Sequence, residues 1–356
     1  MSVPRPTQTK CWILSNKPHG ITTTTGENPT FTLTTRPLPP MLEPNHVLVK
    51  TIYFSNEPAQ RSWINAFWAP ERMYIRPVSE GEVMSSLGIG EVLESSSPKF
   101  QVGDHVSGLT GWTEYSVMSE TGAVPLLPLR PLPGGLGETH YLGALGLTGL
   151  TAYLGLVRVG RLKGSESVLV SGAAGATGSM VVQLAKKVLG ARSVIGIAGS
   201  DEKCRWVESL GADRCVNYKS PSFSQDLKEA AKDGVDLYFD NVGGVILDEA
   251  LGLLNVHGRV VACGFISTYN DEDVPPLRNW WNVVSMKLEI QGFVVLEFAE
   301  QWEEAIGVIA KGLAEGKILL GPESETIVKG ALEDVPAIWR KLFEGGNIGK
   351  LVTSLQ

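Results

Sequence analysis

Ser167-Val-Leu-Val-Ser171 is followed by Gly172-Ala-Ala-Gly175-Ala-Thr-Gly178, and then by Val181, Leu184, Ala185 and Val188. The first run is short, apolar and β-branched, as a buried strand requires, and the later apolar residues recur at helical spacing. Between them the glycines allow the sharp turn that joins a strand to a helix. Gly190 closes that helix.

The same rhythm continues on the C-terminal side. Val194-Ile-Gly-Ile-Ala198 reads as a second strand, leading into a helix over 201–210 that Gly211 ends in the position of a C-terminal cap. Further strands are expected at 214–218, 235–240, 259–263 and 288–294, with helices at 222–231, 246–254 and 299–315. About six strands with covering helices make a doubly wound α/β domain, expected over 136–316. Up to about residue 135, prolines and glycines break the chain into short runs such as His46-Val-Leu-Val-Lys-Thr-Ile-Tyr-Phe54, which read as β-strands joined by turns. After Gly316 the broken pattern returns, so the tail, 317–356, is expected to pack back onto this first, mainly β domain.

The chain has 356 residues, enough for two domains. Its formal charge of −7 is spread along the sequence, with no basic patch to recommend nucleic acid or an anionic membrane. The start, Met1 to Lys10, lacks a secretory pattern, and no run of about eighteen apolar residues occurs. The expectation is a cytoplasmic protein with a small-molecule partner. Cys11, Cys204, Cys215 and Cys263 are scattered without paired spacing and read as reduced thiols.

A glycine turn between a buried strand and a helix places free N–H groups and the positive end of the helix dipole where a pyrophosphate can bind. Gly175, Ala176, Thr177 and Gly178 are therefore expected to bind a dinucleotide; a bare strand-to-helix crossover is the alternative. The second strand ends Ala198-Gly199-Ser200, without the terminal carboxylate that usually meets the ribose hydroxyls of NAD. Asp201 follows, but it suits a helix cap equally well. Lys203 in a first helical turn opposes the dipole, which a neighbouring phosphate would explain and a solvated surface position would not need. This favours NADPH. No metal is expected: His19, His46, His105, His140 and His257 have no second ligand at helical or turn spacing, and the cysteine sets of zinc dehydrogenases are missing. Without that Lewis acid, hydride transfer to an already activated carbon is favoured.

A longer series of motifs resembles a known family. It comprises Gly88-Ile-Gly-Glu-Val92, Gly111-Trp-Thr-Glu-Tyr115, Gly149-Leu-Thr-Ala-Tyr153, the glycine turn, Gly199-Ser-Asp-Glu-Lys203, Asn217-Tyr-Lys219, Phe239-Asp-Asn-Val-Gly-Gly244, Cys263-Gly-Phe-Ile-Ser-Thr-Tyr-Asn270, Gly292-Phe-Val-Val295 and Asn347-Ile-Gly-Lys350. From about Glu43 to the end the chain resembles the zinc-free medium-chain dehydrogenase/reductases, in particular the prostaglandin reductase, leukotriene hydroxydehydrogenase and plant alkenal double-bond reductase group. The resemblance implies a GroES-like domain over 1–135, completed by 317–356, beside a Rossmann domain. It implies that Ser200, Lys203 and Tyr218 hold a 2′-phosphate and that Ala176, Thr177 and Gly178 line the diphosphate. Asn241 and the run Cys263, Gly264, Phe265, Ile266, Ser267, Thr268 and Tyr269 would line the nicotinamide. The backbone of Phe293, Val294 and Val295 would meet the carboxamide, and Asn347 would return to the cofactor from the tail.

The implied activity is NADPH-dependent reduction of a C=C bond conjugated to an aldehyde or ketone, by hydride transfer to the β-carbon. Tyr269 would be catalytic, its hydroxyl donating a hydrogen bond to the enolate oxygen. The α-carbon would take its proton from solvent. Rival readings are a quinone reductase, an allylic alcohol dehydrogenase or a non-enzymatic NADPH-binding redox sensor. The family also suggests a homodimer. Tyr153 and Trp112 read as packing residues. At Glu57-Pro-Ala-Gln-Arg61 the family's aromatic residue is replaced by Ala59, and Gln60 stands in an apolar position. If that segment lines the substrate pocket, the pocket is wider or differently polar. Trp63, Phe67, Trp68, Trp280 and Trp281 serve equally as replacement walls or as core and interface aromatics.

Overall fold

Six parallel strands build the sheet of the first unit described, which takes in Gly143–Glu325 and Asn347–Lys350. The computed structural model describes residues 4–121, 124–271 and 274–355. The strands are β1 (Ser167–Val170), β2 (Ser193–Ala198), β3 (Arg214–Asn217), β4 (Val235–Asp240), β5 (Leu254–Ala262) and β6 (Glu289–Gly292). Their order across the sheet is β3-β2-β1-β4-β5-β6, with every neighbouring pair parallel. The chain therefore starts mid-sheet, winds outward one way, and returns between β1 and β4 to wind the other. Ligands of such sheets bind beyond the C-terminal strand ends at that reversal.

The helices are α1 (Leu147–Leu154), α2 (Ala176–Gln183), α3 (Asp201–Leu210), α4 (Phe223–Ala230), α5 (Gly244–Leu251) and α6 (Trp302–Ala314). Leu150, Val181, Leu184 and Ile309 fill one core layer with Val168 and Val170. Leu227, Ile246 and Leu251 fill another with Leu169, Ile195 and Tyr238. Apolar residues on both faces of β1 explain why it reads as an unbroken hydrophobic run.

The helix after the glycine turn runs on through one π-helical turn, Leu184–Val188, and Gly190 follows at φ +73°. At β5 the sequence reading is too short. The strand begins at Leu254, five residues before the expected start, because Asn255, His257 and Gly258 interrupt its apolar pattern. The last helix starts at Trp302 rather than 299, after a 3₁₀ stretch over Val295–Gln301.

The second unit comprises residues 4–142, 326–346 and 351–355. Its central strand, His46–Ser55, pairs antiparallel with Leu87–Ser95, Tyr115–Ser119 and Lys350–Ser354. Gln8–Leu14 pairs separately with Phe31–Pro37. An aromatic core forms around Trp112, whose ring centroid lies 5.0 Å from Phe31 and 5.6 Å from Trp339 in edge-on contacts. Two of its indole N–H groups find carbonyls, Trp12 Nε1 donating to Leu332 O (2.7 Å) and Trp339 Nε1 to Glu57 O (2.9 Å), while Trp112 Nε1 is buried without an acceptor. Trp112 and Tyr153 are buried packing residues, as the sequence suggests. Among the described residues no helix is long and apolar enough to cross a membrane.

Candidate dinucleotide site

The turn from β1 to α2 is fixed by its own backbone. Gly175 N donates to Gly172 O (2.9 Å), Ala173 N to Ile197 O (2.9 Å), and a return bond of the helix runs from Ser179 N to Gly175 O (2.9 Å). The N–H groups of Ala176, Thr177 and Gly178 thus belong to a first turn that has no acceptor of its own, the arrangement that receives phosphate oxygens. Gly178 is required sterically. A Cβ there would lie 2.2 Å from Gly172 O and 2.7 Å from Ala173 Cα. Asn347 is brought to the same turn: Gly349 N donates to Ala174 O (2.8 Å), and Asn347 Nδ2 donates to Gly349 O (2.8 Å).

At the ends of β2 and β3, Ser200 caps α3 by accepting from Lys203 N (3.2 Å). This corrects the expectation for Asp201, which is the first helical residue; its carboxylate accepts from Asn217 Nδ2 (2.8 Å). Tyr218 lies against Gly199, where an added Cβ would meet the ring and hydroxyl at 3.0–3.3 Å. Lys219, to which no role is assigned from sequence, sits 5.8 Å above the Tyr218 ring. Burial lowers the Lys203 pKa, the Lys219 charge lowers it further, and Glu202 opposes both. A second cation close enough to lower the Lys203 pKa favours an anion beside the pair.

At the ends of β4 and β5, Asp240 is buried and organises a network that the sequence motif did not reveal. Its Oδ1 accepts from Tyr238 Oη (2.7 Å), Ser171 Oγ (3.0 Å), Val242 N (3.0 Å) and Gly243 N (2.9 Å). Burial raises its pKa against those hydrogen bonds. Ser171 in turn accepts from Asn241 N (2.9 Å), while Asn241 Nδ2 donates to Ser171 O (2.7 Å). The side chain of Asn241 is therefore fixed at the mouth of β1 and β4.

The run from Cys263 to Tyr269 hangs on the same corner. Cys263 N and Gly264 N both donate to Asp240 O, Ile266 N donates to Asn241 O, and Ser267 Oγ donates to Val242 O. Thr268 closes the loop onto Phe265 O. Burial and then the Asp240 charge push the Cys263 thiol up to about 12. Tyr269 stacks at a tilt on Phe265, 4.6 Å between centroids, and its hydroxyl lies 3.7 Å from where a Cβ on Gly264 would stand. Beyond β6, the Phe293 ring turns into the core against Phe239. Val294 and Val295 continue the backbone there, with Val295 O accepting from Trp302 Nε1 (3.1 Å).

A model described as "Zinc-binding dehydrogenase" matches residues 176–311, and one described as "N-terminal domain of oxidoreductase" matches 10–126. The NADP(+)-dependent 2-alkenal reductase of Nicotiana tabacum is 37% identical over 86% of this chain and 87% of its own length. The chain belongs to the medium-chain dehydrogenase/reductase family. Prostaglandin reductase 1 of Bos taurus is 36% identical over 96% of this chain and 98% of its own. The crystal structure of CurA in complex with NADPH from Vibrio vulnificus superposes with a TM-score of 0.84 at 32% identity, covering 98% of this chain and 99% of that one.

Against that family background two sequence readings need revision. Gln60 does not add polarity to an open pocket: it is fully buried, its Oε1 accepting from Glu57 N (2.9 Å) and its Nε2 donating to Ser85 O (2.9 Å). Ala59 packs beside the aromatic core. Trp63 is also buried, whereas Phe67, Trp68, Trp280 and Trp281 are exposed, which removes the core reading for those four. Among the described residues no three His, Cys, Asp or Glu side chains gather in a way that could hold a metal. His105 instead pairs with Glu138 (2.7 Å), and His19 packs edge-on against Phe67.

Proposed function

We propose that the protein is an NADPH-dependent reductase of C=C bonds conjugated to an aldehyde or ketone carbonyl, with Tyr269 as its catalytic residue. The observation that carries the reading is the Tyr269 hydroxyl beside Gly264, on a loop tied to Asn241 and Asp240 at the C-terminal ends of β4 and β5. The activities named for the tobacco and bovine relatives support the same reaction class.

The residues fit the cofactor: the first turn of α2 offers N–H groups to a diphosphate, and Ser200, Lys203, Tyr218 and Lys219 surround a position suited to a 2′-phosphate. When bound, NADPH supplies the hydride. Asn241, held by Ser171, and the backbone of Phe293 to Val295 orient the nicotinamide end, with Asn347 closing over the diphosphate turn. Tyr269 donates a hydrogen bond to the substrate's carbonyl oxygen, which gains negative charge as the β-carbon is reduced. The α-carbon then takes a proton from water.

The test is nicotinamide absorbance during turnover on an enal, an enone, a quinone and an allylic alcohol, with NADH run beside NADPH. Turnover of the enal and enone with preference for NADPH is expected. Lys203→Ala should raise the NADPH Kd about 10- to 100-fold, the loss of one to two charge-assisted contacts, and leave NADH nearly unchanged. Turnover of the quinone alone, or equal loss for both cofactors, would refute the assignment.

The reading includes a homodimer. β6 is an edge strand with all four residues exposed, Ile290 among them, and Trp281 and Val284 shortly before it in the chain are exposed as well. Antiparallel pairing of two such strands would cover it. Sedimentation equilibrium should return twice the chain mass, and Ile290→Lys should return the monomer; a monomeric parent protein refutes this part.

A further inference from the structure

We propose that Cys204 and Cys215 form a peroxide-sensitive dithiol, closing to a disulfide that distorts the ribose-phosphate end of the dinucleotide site and weakens NADPH binding. The effect on affinity rests on the assignment of Ser200, Lys203 and Tyr218 made above; the thiol chemistry does not.

The two cysteines come from different elements and meet. Cys204 is in the first turn of α3, its N–H donating to Ser200 O (2.9 Å). Cys215 lies on β3, opposite Gly196 of β2. Their side chains hydrogen-bond to each other. The sulfur of Cys215 is directed there by the space that Gly196 leaves. A Cβ at Gly196 would lie 3.1 Å from Cys215 Sγ and 2.8 Å from Val207 Cγ1 on α3, so a side chain there would push strand and helix apart. Cys204 lies one turn before Val207 on the helix that packs over this strand, so the two thiols face one helix–strand boundary, across which a disulfide closes when the sulfurs approach to ~2.05 Å.

The environments of the two thiols differ in the sense the chemistry needs. The hydrogen bond from Cys215 lowers the pKa of Cys204, and its first-turn position and the Ala198 N–H act in the same direction against burial and the Asp201 and Glu208 charges. Cys215, which gives up its hydrogen to Cys204 and is buried, is raised. Cys204 is thus the attacking thiolate and Cys215 the resolving thiol. Cys204 sulfur attacks one oxygen of hydrogen peroxide, forming an S–O bond as the O–O bond breaks, and the departing hydroxide leaves as water with the proton Cys204 had released. Cys215 sulfur then attacks the sulfenic sulfur, forming the S–S bond and displacing hydroxide, which takes up the Cys215 proton. Two thiols lose two electrons in all, and one peroxide becomes two waters.

The consequence follows from sequence neighbours. Lys203 immediately precedes Cys204, Ser200 caps the same turn, and Tyr218 ends the β3 segment that carries Cys215. Drawing the two sulfurs together moves these three groups relative to one another.

The experiment is peroxide treatment of the full-length protein, followed by alkylation of remaining thiols, non-reducing peptide mapping and NADPH titration. The expected result is a linked Cys204–Cys215 peptide, with Cys11 and Cys263 still alkylated and NADPH affinity about tenfold weaker, restored by a dithiol reductant. Cys204→Ser and Cys215→Ser should each bind NADPH as the untreated protein does and show no response. Four alkylated cysteines after treatment, or a linked peptide with unchanged affinity, overturn the proposal. Failure of the untreated protein to bind NADPH would instead refute the cofactor assignment and the affinity effect built on it, while the mapping still decides the thiol chemistry.

Discussion

Gly178→Ala should leave the protein unable to bind NADPH at micromolar concentration, whereas Gly175→Ala should bind it with little change. The two glycines belong to one turn, but their surroundings differ. At Gly175 an added Cβ meets only Gly172 O at 3.2 Å, and the backbone is one that alanine adopts, with φ −85° and ψ 174°. At Gly178 the Cβ would stand 2.2 Å from Gly172 O and 2.7 Å from Ala173 Cα. Neither atom is the end of a flexible side chain. The segment that would have to yield is held by Ala173 N to Ile197 O, Gly175 N to Gly172 O and Gly349 N to Ala174 O. Moving α2 away instead breaks its packing through Val181 and Leu184. Overpacking of this kind costs about 3 kcal/mol, or about 100-fold in affinity if it falls on the bound state. Titration of NADPH fluorescence together with thermal melting checks it. A Gly178→Ala protein that binds normally would mean that the turn is not the diphosphate site.

The contrast between these glycines marks what a sequence can carry. That a strand, a glycine turn and a helix follow one another is local, so β1, β2 and α3 could be read nearly to the residue. The antiparallel partners of His46–Ser55 could not, since one of them, Lys350–Ser354, lies at the far end of the chain and its register is set by packing. β5 extends beyond its sequence signature for a different reason: its first half is polar and includes His257 at φ +66°, so it lacks the apolar pattern of a buried strand.

The candidate site divides the same way. Residues named by motif, from Gly175 to Asn347, gather at the C-terminal ends of the parallel strands because the fold brings those ends together. The groups that hold them were not legible. Asp240 is a core residue whose partners include Tyr238 and Ser171, the latter on another strand, and nothing in Phe239-Asp-Asn-Val distinguishes that role from a ligand's. Lys219 follows Tyr218 and needed only a turn at the end of β3 to approach Lys203, yet a lysine beside a tyrosine carries no spacing signal. Gln60 misled because its partner carbonyl, Ser85 O, is 25 residues away; a polar residue in an apolar position looked like a feature of a pocket when it was a satisfied strut.

Tyr269→Phe is expected to lower kcat for an enone about 100-fold, the size of effect seen when one donor to a developing oxyanion is removed. The substitution separates the two things this residue can do. Its ring packs on Phe265, 4.6 Å between centroids at 57°, and phenylalanine preserves that contact. The loop it sits on is held by backbone bonds from Cys263, Gly264 and Ile266 to Asp240 and Asn241, none of which uses the hydroxyl. Melting temperature and NADPH affinity should therefore be those of the parent. KM for the enone should change less than kcat, because the neutral carbonyl gains little from the hydrogen bond and the charged oxygen of the transition state gains much. The ratio of the two effects is the informative quantity. A loss confined to KM would make Tyr269 a substrate-binding residue, and an unchanged rate would leave orientation of the two reactants as the main source of catalysis, with the charge on oxygen stabilised by water or by the cofactor's own ribose hydroxyl.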